Sequence, residues 1–171
     1  REQREDSVPI PFTRELRLEG ITYSYPGTTT EVLRDVTVSI PHGSSVALVG
    51  GSGAGKTTLV DVVQGLLTPT AGRVLVDSRD IADAPQFWRH QIGTVPQEVW
   101  SIARSLRENV AFGVNEEYIV EKAVVRAIEL AQLDDVVQHL PQGLDTDIGE
   151  RGGRLSGGQR QRIGIARALY T

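Results

Sequence analysis

The stretch VALVGGSGAGKTTLVDVVQGLL, residues 46–67, decides the fold. Residues 46–49 are uninterrupted aliphatics and read as a buried strand. A glycine-rich turn follows. Leu59, Val60, Val62, Val63, Leu66 and Leu67 then fall at helical spacing. The turn fits G-x-x-x-x-G-K-[ST], with Gly50, Gly55, Lys56 and Thr57 in the fixed places. Glycines let backbone N–H groups close around phosphate oxygens with no Cβ in the way. A helix that begins at the loop turns its free N–H groups and positive dipole end toward the same anion. In such a site Lys56 would reach the terminal phosphates and the Thr57 hydroxyl would hold Mg²⁺. The competing reading is a plain strand-to-helix turn that carries an exposed lysine.

Composition narrows the classes. The 171 residues suffice for a core of ordinary size, and 39% hydrophobic with 23% charged residues suits a globular domain. The net charge of -4 argues against a nucleic-acid partner. With no cysteine, disulfides, thiolate metal sites and cysteine nucleophiles are excluded. His42, His90 and His139 are scattered without ligand spacing. No apolar run is long enough for a membrane span, and no secretory signal is visible. The chain has no methionine and begins with Arg1, so residue 1 reads as an internal position of a longer protein, processing being the alternative.

Outward from the decisive stretch, residues 1–14 are charged and proline-punctuated and read as a linker tail. Residues 16–25 and 32–40 read as two strands that pair antiparallel. Tyr25, at the end of the first, is open to two roles: packing, or stacking on the flat apolar face of adenine. Residues 73–77 read as a further strand. Asp77 resembles the end of a Mg²⁺-binding strand, but Ser78 follows it and the connection suits a peripheral hairpin, so it is read as a turn residue. Pro85 opens a short helix to residue 90, and residues 92–95 read as a short strand. Ser105 and Glu108 have capping-box spacing, which starts a helix near Leu106. Asn115 is placed to cap a helix over 116–132, with an apolar stripe through Ile119, Val120, Ala123, Val124, Ala127, Ile128 and Ala131. A smaller helix covers 134–140, and residues 143–155 form a glycine-rich charged loop. Ser156 and Gln159 repeat the capping-box spacing before Ile163, Ala166, Ala168 and Leu169. That makes a second helix N-terminus with small residues at its tip. It is either an ordinary capped helix or a second phosphate dock.

Taken together, these motifs resemble the nucleotide-binding domain of ATP-binding cassette (ABC) transporters. LSGGQ, residues 155–159, matches the ABC signature, and GGSGAGKTT, residues 50–58, its Walker A, with Gly51 where many members have proline. VPQE, residues 95–98, matches the Q-loop, and Tyr25 in YSYPG the adenine-stacking aromatic. The resemblance covers about residues 15–171. DIGERGGRLSGGQRQRIGIARAL and SLRENVAFG are similar to the exporter type, with Glu150 in the x-loop position. EEYIVEKAVVRAIELAQLDD and RIGIARALY are similar to transporters that flip lipid-linked oligosaccharides.

The resemblance implies an α/β P-loop NTPase fold: an antiparallel β subdomain, a RecA-like core and a helical subdomain over about 98–162. It implies ATP and Mg²⁺ as ligands. The binding set would be Tyr25, Gly50, Gly51, Ser52, Gly53, Ala54, Gly55, Lys56, Thr57, Thr58, Gln97, Leu155, Ser156, Gly157, Gly158 and Gln159. Within it, Lys56, Gln97, Ser156 and Gly158 would serve catalysis, and Thr57 and Gln97 the metal. The implied partners are a second such domain, head to tail, and a transmembrane domain fused upstream, on the cytoplasmic face of the cell membrane, with no nucleic acid. Family members continue past the signature helix into a strand ending in Asp-Glu and a switch histidine. The chain stops at Thr171, so the C-terminal part of the core is expected to be missing, ATP hydrolysis by this piece absent and its stability marginal. Two rival functions stay open. One is a soluble ABC ATPase of DNA repair, chromosome cohesion or translation, although no long coiled coil separates the motifs. The other is a non-catalytic regulatory cassette.

Overall fold

Strand β1, Glu15–Ser24, alternates buried and open positions, with Leu16, Leu18, Ile21 and Tyr23 turned inward. The phase slips between Leu18 and Ile21, where the pairing register shifts, so the inward set stays inward. This is a computed structural model; it describes residues 11–170. The first ten residues of the segment read as a linker tail lie outside the described residues.

The chain divides between Gln91 and Ile92 into two compact units. In the first, β1 pairs antiparallel with β2, Glu31–Pro41, as the sequence predicts. On its other side β1 pairs antiparallel with β3, Ala71–Val76, which continues into β4, Arg79–Asp80. The order is β2-β1-β3-β4. Asp77 and Ser78 form the two-residue turn of that last hairpin, both at positive φ (48° and 76°), as a type I′ turn requires. The hairpin reading of Asp77 therefore holds.

The Asp77 carboxylate also fastens the entry to β1. It accepts hydrogen bonds from the Thr13 hydroxyl and amide, both at 2.6 Å, and from the amides of Arg14 at 2.8 Å and Glu15 at 3.0 Å. The Thr13 hydroxyl, followed by those amides, holds the Asp77 carboxyl well below the ordinary carboxylate range. A depressed carboxyl contributes fully above the unfolded value, about 4, and its contribution fades as pH falls toward the folded value. Asp77→Asn is expected to speed amide exchange at Thr13, Arg14 and Glu15 at neutral pH. The gap from the parent protein should narrow in acid. Hydrogen-exchange mass spectrometry across pH checks both outcomes.

Helix α1, Lys56–Val63, ends earlier than the periodicity predicts. Gly65 stands at φ 69°; its amide donates to Val62 O at 3.0 Å and that of Leu66 to Asp61 O at 2.9 Å. This Schellman stop leaves Leu66 and Leu67 beyond the helix. Val62 packs inward with Val74, Val76, Ile81 and Trp88 in the core of this unit. Trp88 lies on α2, Pro85–His90, and donates its indole N–H to Val63 O at 2.7 Å.

Two predicted strands are absent. Residues 46–49 and 92–95 are irregular, and Val49 is 94% exposed. A wholly apolar strand is stable when neighbours take its hydrogen bonds on both edges. None of the four described strands pairs with either segment. The antiparallel sheet is thus the sheet of the described residues.

The second unit is helical. Helix α3, Leu106–Val110, starts at the predicted capping box: the Glu108 amide donates to Ser105 Oγ at 3.2 Å and the Ser105 amide to Glu108 Oε2 at 3.0 Å. The helix predicted over 116–132 is shorter. Glu116–Tyr118 is a 3₁₀ turn, Asn115 makes no side-chain cap, and α4 runs over Glu121–Leu130. The β-branched pair Ile119 and Val120 stays extended, and the Val120 amide donates to the Tyr170 hydroxyl at 3.0 Å. Helix α5, Asp134–His139, follows. Helix α6, Gly157–Tyr170, packs Ile163 and Ala166 into a core with Val124, Ala127, Ile128 and Leu133.

Candidate nucleotide site

In the first unit the Walker-type loop is laid out for an anion. Gly55 caps α1 at φ 83°, a conformation a side chain would strain. A Cβ there would also stand 3.0 Å from both Leu33 Cδ2 and Val32 O, so β2 abuts the loop directly. Gly50, Gly51, Ser52, Gly53, Ala54 and Thr57 are exposed, while Gly55 and Thr58 are buried. A Cβ on Gly51 or Gly53 would meet nothing within 4 Å. The outer side of the loop is open. The Lys56 ammonium donates to Gly50 O at 2.8 Å and Gly51 O at 2.7 Å, which holds a full positive charge across the loop. Lys56 and Thr57 begin α1, whose first-turn N–H groups lack helical partners. A cation, a hydroxyl and unpaired amides suit a phosphate chain with its metal.

Tyr25 lies just past β1 and joins this group. Its hydroxyl is 3.0 Å from Thr58 Oγ1, and its ring meets Tyr23 edge to face at 5.1 Å.

The second unit holds the other predicted residues. Gln97 is exposed, in a loop pressed onto α6: a Cβ on Gly164 would fall 2.6 Å from Val99 Cγ2, and one on Gly93 2.5 Å from Ala168 O. Gln97 and Gly157 line one cavity of about 480 Å³ with Glu98, Val99, Trp100, Gly153, Arg160 and Gln161. At the signature, Leu155 is buried and anchors the tip, whereas Ser156, Gly157 and Gly158 are exposed. The predicted capping box is formed: the Ser156 amide donates to Gln159 Oε1 at 2.8 Å and the Gln159 amide to Ser156 Oγ at 3.3 Å. Glu150 is exposed at the start of a 3₁₀ turn.

The Walker group with Tyr25, and the Q-loop with the signature, thus each assemble within their own unit. Sequence reasoning missed the residues that support the second group. The Arg160 guanidinium donates to Leu155 O at 2.6 Å and so props the base of the signature tip. Arg167 donates to Asn109 O at 2.6 Å, Asn109 Oδ1 at 3.0 Å and Trp100 O, with its guanidinium 4.8 Å over the Phe112 ring. Their arginine-rich context, RQRIGIAR, was the available signal; nothing in SLREN marks Asn109 as buried.

A family profile described as "ABC transporter" matches residues 33–171. The chain is 44% identical over 158 residues to an ATP-dependent lipid A-core flippase of Ralstonia nicotianae, covering 91% of this chain and 27% of that protein. It is 42% identical over 161 residues to ATP-binding cassette sub-family B member 10, mitochondrial, of Mus musculus, covering 92% of this chain and 22% of that protein. The solved structure of a bacterial Atm1-family ABC exporter with ATP bound superposes with a TM-score of 0.82 at 34% identity, covering 96% of this chain and 29% of that one. The chain therefore spans roughly a quarter of the length of such relatives. Its fold is the ABC ATPase fold of P-loop type, and the chain belongs to the ABC transporter family as an ATP-binding domain of the exporter type.

Proposed function

We propose that this domain binds Mg-ATP at the first-unit loop and closes head to tail on a second such domain to drive transport across a membrane. Tyr25 would stack the base. Gly50, Gly51, Ser52, Gly53, Ala54, Gly55 and Thr58 would cradle the phosphates, with Lys56 countering their charge. Thr57 would hold Mg²⁺, whose chemistry is to neutralise charge on the phosphate oxygens. From the partner domain, Leu155, Ser156, Gly157, Gly158 and Gln159 would cover the terminal phosphate, with Ser156 and Gly158 closest to it.

One observation carries the reading. A Cβ on Gly158 would meet nothing within 4 Å, and one on Gly157 only the Arg160 side chain at 3.9 Å. Even in a helix's first turn, glycine loses more backbone freedom on folding than alanine does. The chain's own packing does not call for that cost at this tip, whereas the close approach of an outside phosphate does.

Gln97 and Glu150, both exposed, would pass the nucleotide state to a membrane domain. No described helix is long and apolar enough to cross a membrane. By analogy with the flippase relatives, the site would face the cytoplasm beside a membrane domain. An exported or flipped lipid-linked substrate is the reading that the flippase relatives favour.

Sedimentation velocity tests the assembly: Mg-ATP is expected to convert monomer to dimer, and a sample that stays monomeric at saturating Mg-ATP would count against it. None of the residues named above would polarise the attacking water. A polypeptide of these 171 residues alone is therefore proposed to bind ATP without turning it over. Its phosphate release should match that of Lys56→Ala, and a faster rate would refute this.

A further inference from the structure

We propose that Thr58 is a positioning residue for base recognition: its hydroxyl, bonded to that of Tyr25, fixes the pose of the ring on which the nucleotide base stacks. The inference rests on the stacking role proposed above and says what sets the ring's position.

Tyr25 lies outside β1, in a turn closed by the Thr28 amide donating to Tyr25 O at 3.1 Å. It is 43% exposed. An exposed aromatic in a turn would otherwise sample several rotamers and lose that freedom on binding. Two contacts hold it. Tyr23, itself buried, braces the ring edge to face at 5.1 Å with the planes at 85°. At the far end of the ring, the hydroxyl meets Thr58 Oγ1 at 3.0 Å.

Thr58 suits this task. It is buried on the first turn of α1, and its branched side chain has few rotamers. Each hydroxyl can donate or accept, so the pair needs no third group. The helix that presents its N-terminus to the phosphates therefore also sets the height of the base platform. Both ends of a nucleotide are held in register by one rigid element, which lowers the ordering cost of binding.

Titration calorimetry with Mg-ATP and with Mg-tripolyphosphate, which has no base, tests the idea on the 171-residue chain. Tyr25→Phe removes the bond and keeps the ring. It is expected to weaken ATP binding about three- to tenfold and leave tripolyphosphate unchanged, which also shows that the loop is intact. In a Thr58→Val background, adding Tyr25→Phe should cost ATP nothing further. Tyr25→Phe with unaltered ATP affinity, or an equal loss in both backgrounds, overturns the proposal while Tyr25→Ala still binds ATP weakly. If Tyr25→Ala also binds ATP like the parent, the stacking reading itself falls, and the tether with it.

Discussion

Lys56→Ala is expected to abolish measurable Mg-ATP binding while leaving the fold in place. The ammonium is held at the loop by Gly50 O and Gly51 O, at 2.8 and 2.7 Å. Both carbonyls belong to exposed residues, so water replaces the lost donor. Stability should change by no more than about 0.5 kcal/mol, as for ordinary surface substitutions. Binding is different. The net charge of the chain is -4, so a polyphosphate gains no general attraction and depends on local cations and amides. Charge-assisted hydrogen bonds contribute about 1.5–3 kcal/mol each, and Lys56 can offer two or more to phosphate oxygens. Their loss corresponds to at least about a hundredfold in affinity. Calorimetry reads the affinity and a denaturant titration the fold; near-parental ATP affinity in Lys56→Ala would contradict the site.

The largest structural effect is expected from Asn109→Ala. Asn109 is fully buried, and its amide saturates its surroundings. Oδ1 accepts from the Ile102 amide and from Arg167, both at 3.0 Å. Nδ2 donates to the carbonyls of Ile102 at 3.0 Å, Arg104 at 3.2 Å and Ser105 at 3.0 Å. Alanine would leave the Ile102 amide without its acceptor and take one bond from Arg167, whose burial already pulls its pKa down; the three carbonyls keep their backbone donors, and Arg167 keeps Asn109 O and Trp100 O. One unmatched buried amide and the bonds lost around it cost about 1–3 kcal/mol, against total stabilities of about 5–15 kcal/mol. Asn109→Asp should fare little better, because it sets a carboxylate against those carbonyls. Near-ultraviolet dichroism from Trp100, which sits on the pinned loop, should be lost in Asn109→Ala at temperatures where the parent is folded. A melting midpoint unchanged from the parent would refute the role of Asn109.

Local rules were legible where chemistry is local. Ser105 with Glu108, and Ser156 with Gln159, announced their helix starts through spacing alone, and both capping boxes are formed. The alternation of β1 and the Asp77 turn were readable for the same reason. What failed depends on partners distant in sequence. Residues 46–49 and 92–95 carry strand composition, but a strand exists by pairing, and no described strand supplies it. Ile119 and Val120 continue a helical stripe on paper. The Tyr170 hydroxyl, fifty residues away, instead takes the Val120 amide. The Asn109–Arg167 network was hidden because a single asparagine in SLREN carries no sign of burial. At the candidate site the loop's backbone was legible. Glycine spacing states a backbone requirement directly, as Gly55 at φ 83° shows.

In the proposed assembly, the tip at Gly50 to Thr58 and the tip at Ser156 to Gln159 meet across two molecules on one triphosphate. Gly158→Asp puts a negative charge on the second tip, where a Cβ meets nothing within 4 Å, so the helix itself tolerates it. Lys56→Ala disables the first tip. Each variant alone should remain monomeric with Mg-ATP in sedimentation velocity. An equimolar mixture should form a dimer, because one composite site then keeps both intact tips. A mixture that stays as monomeric as its components, while the parent dimerises, would contradict the claim.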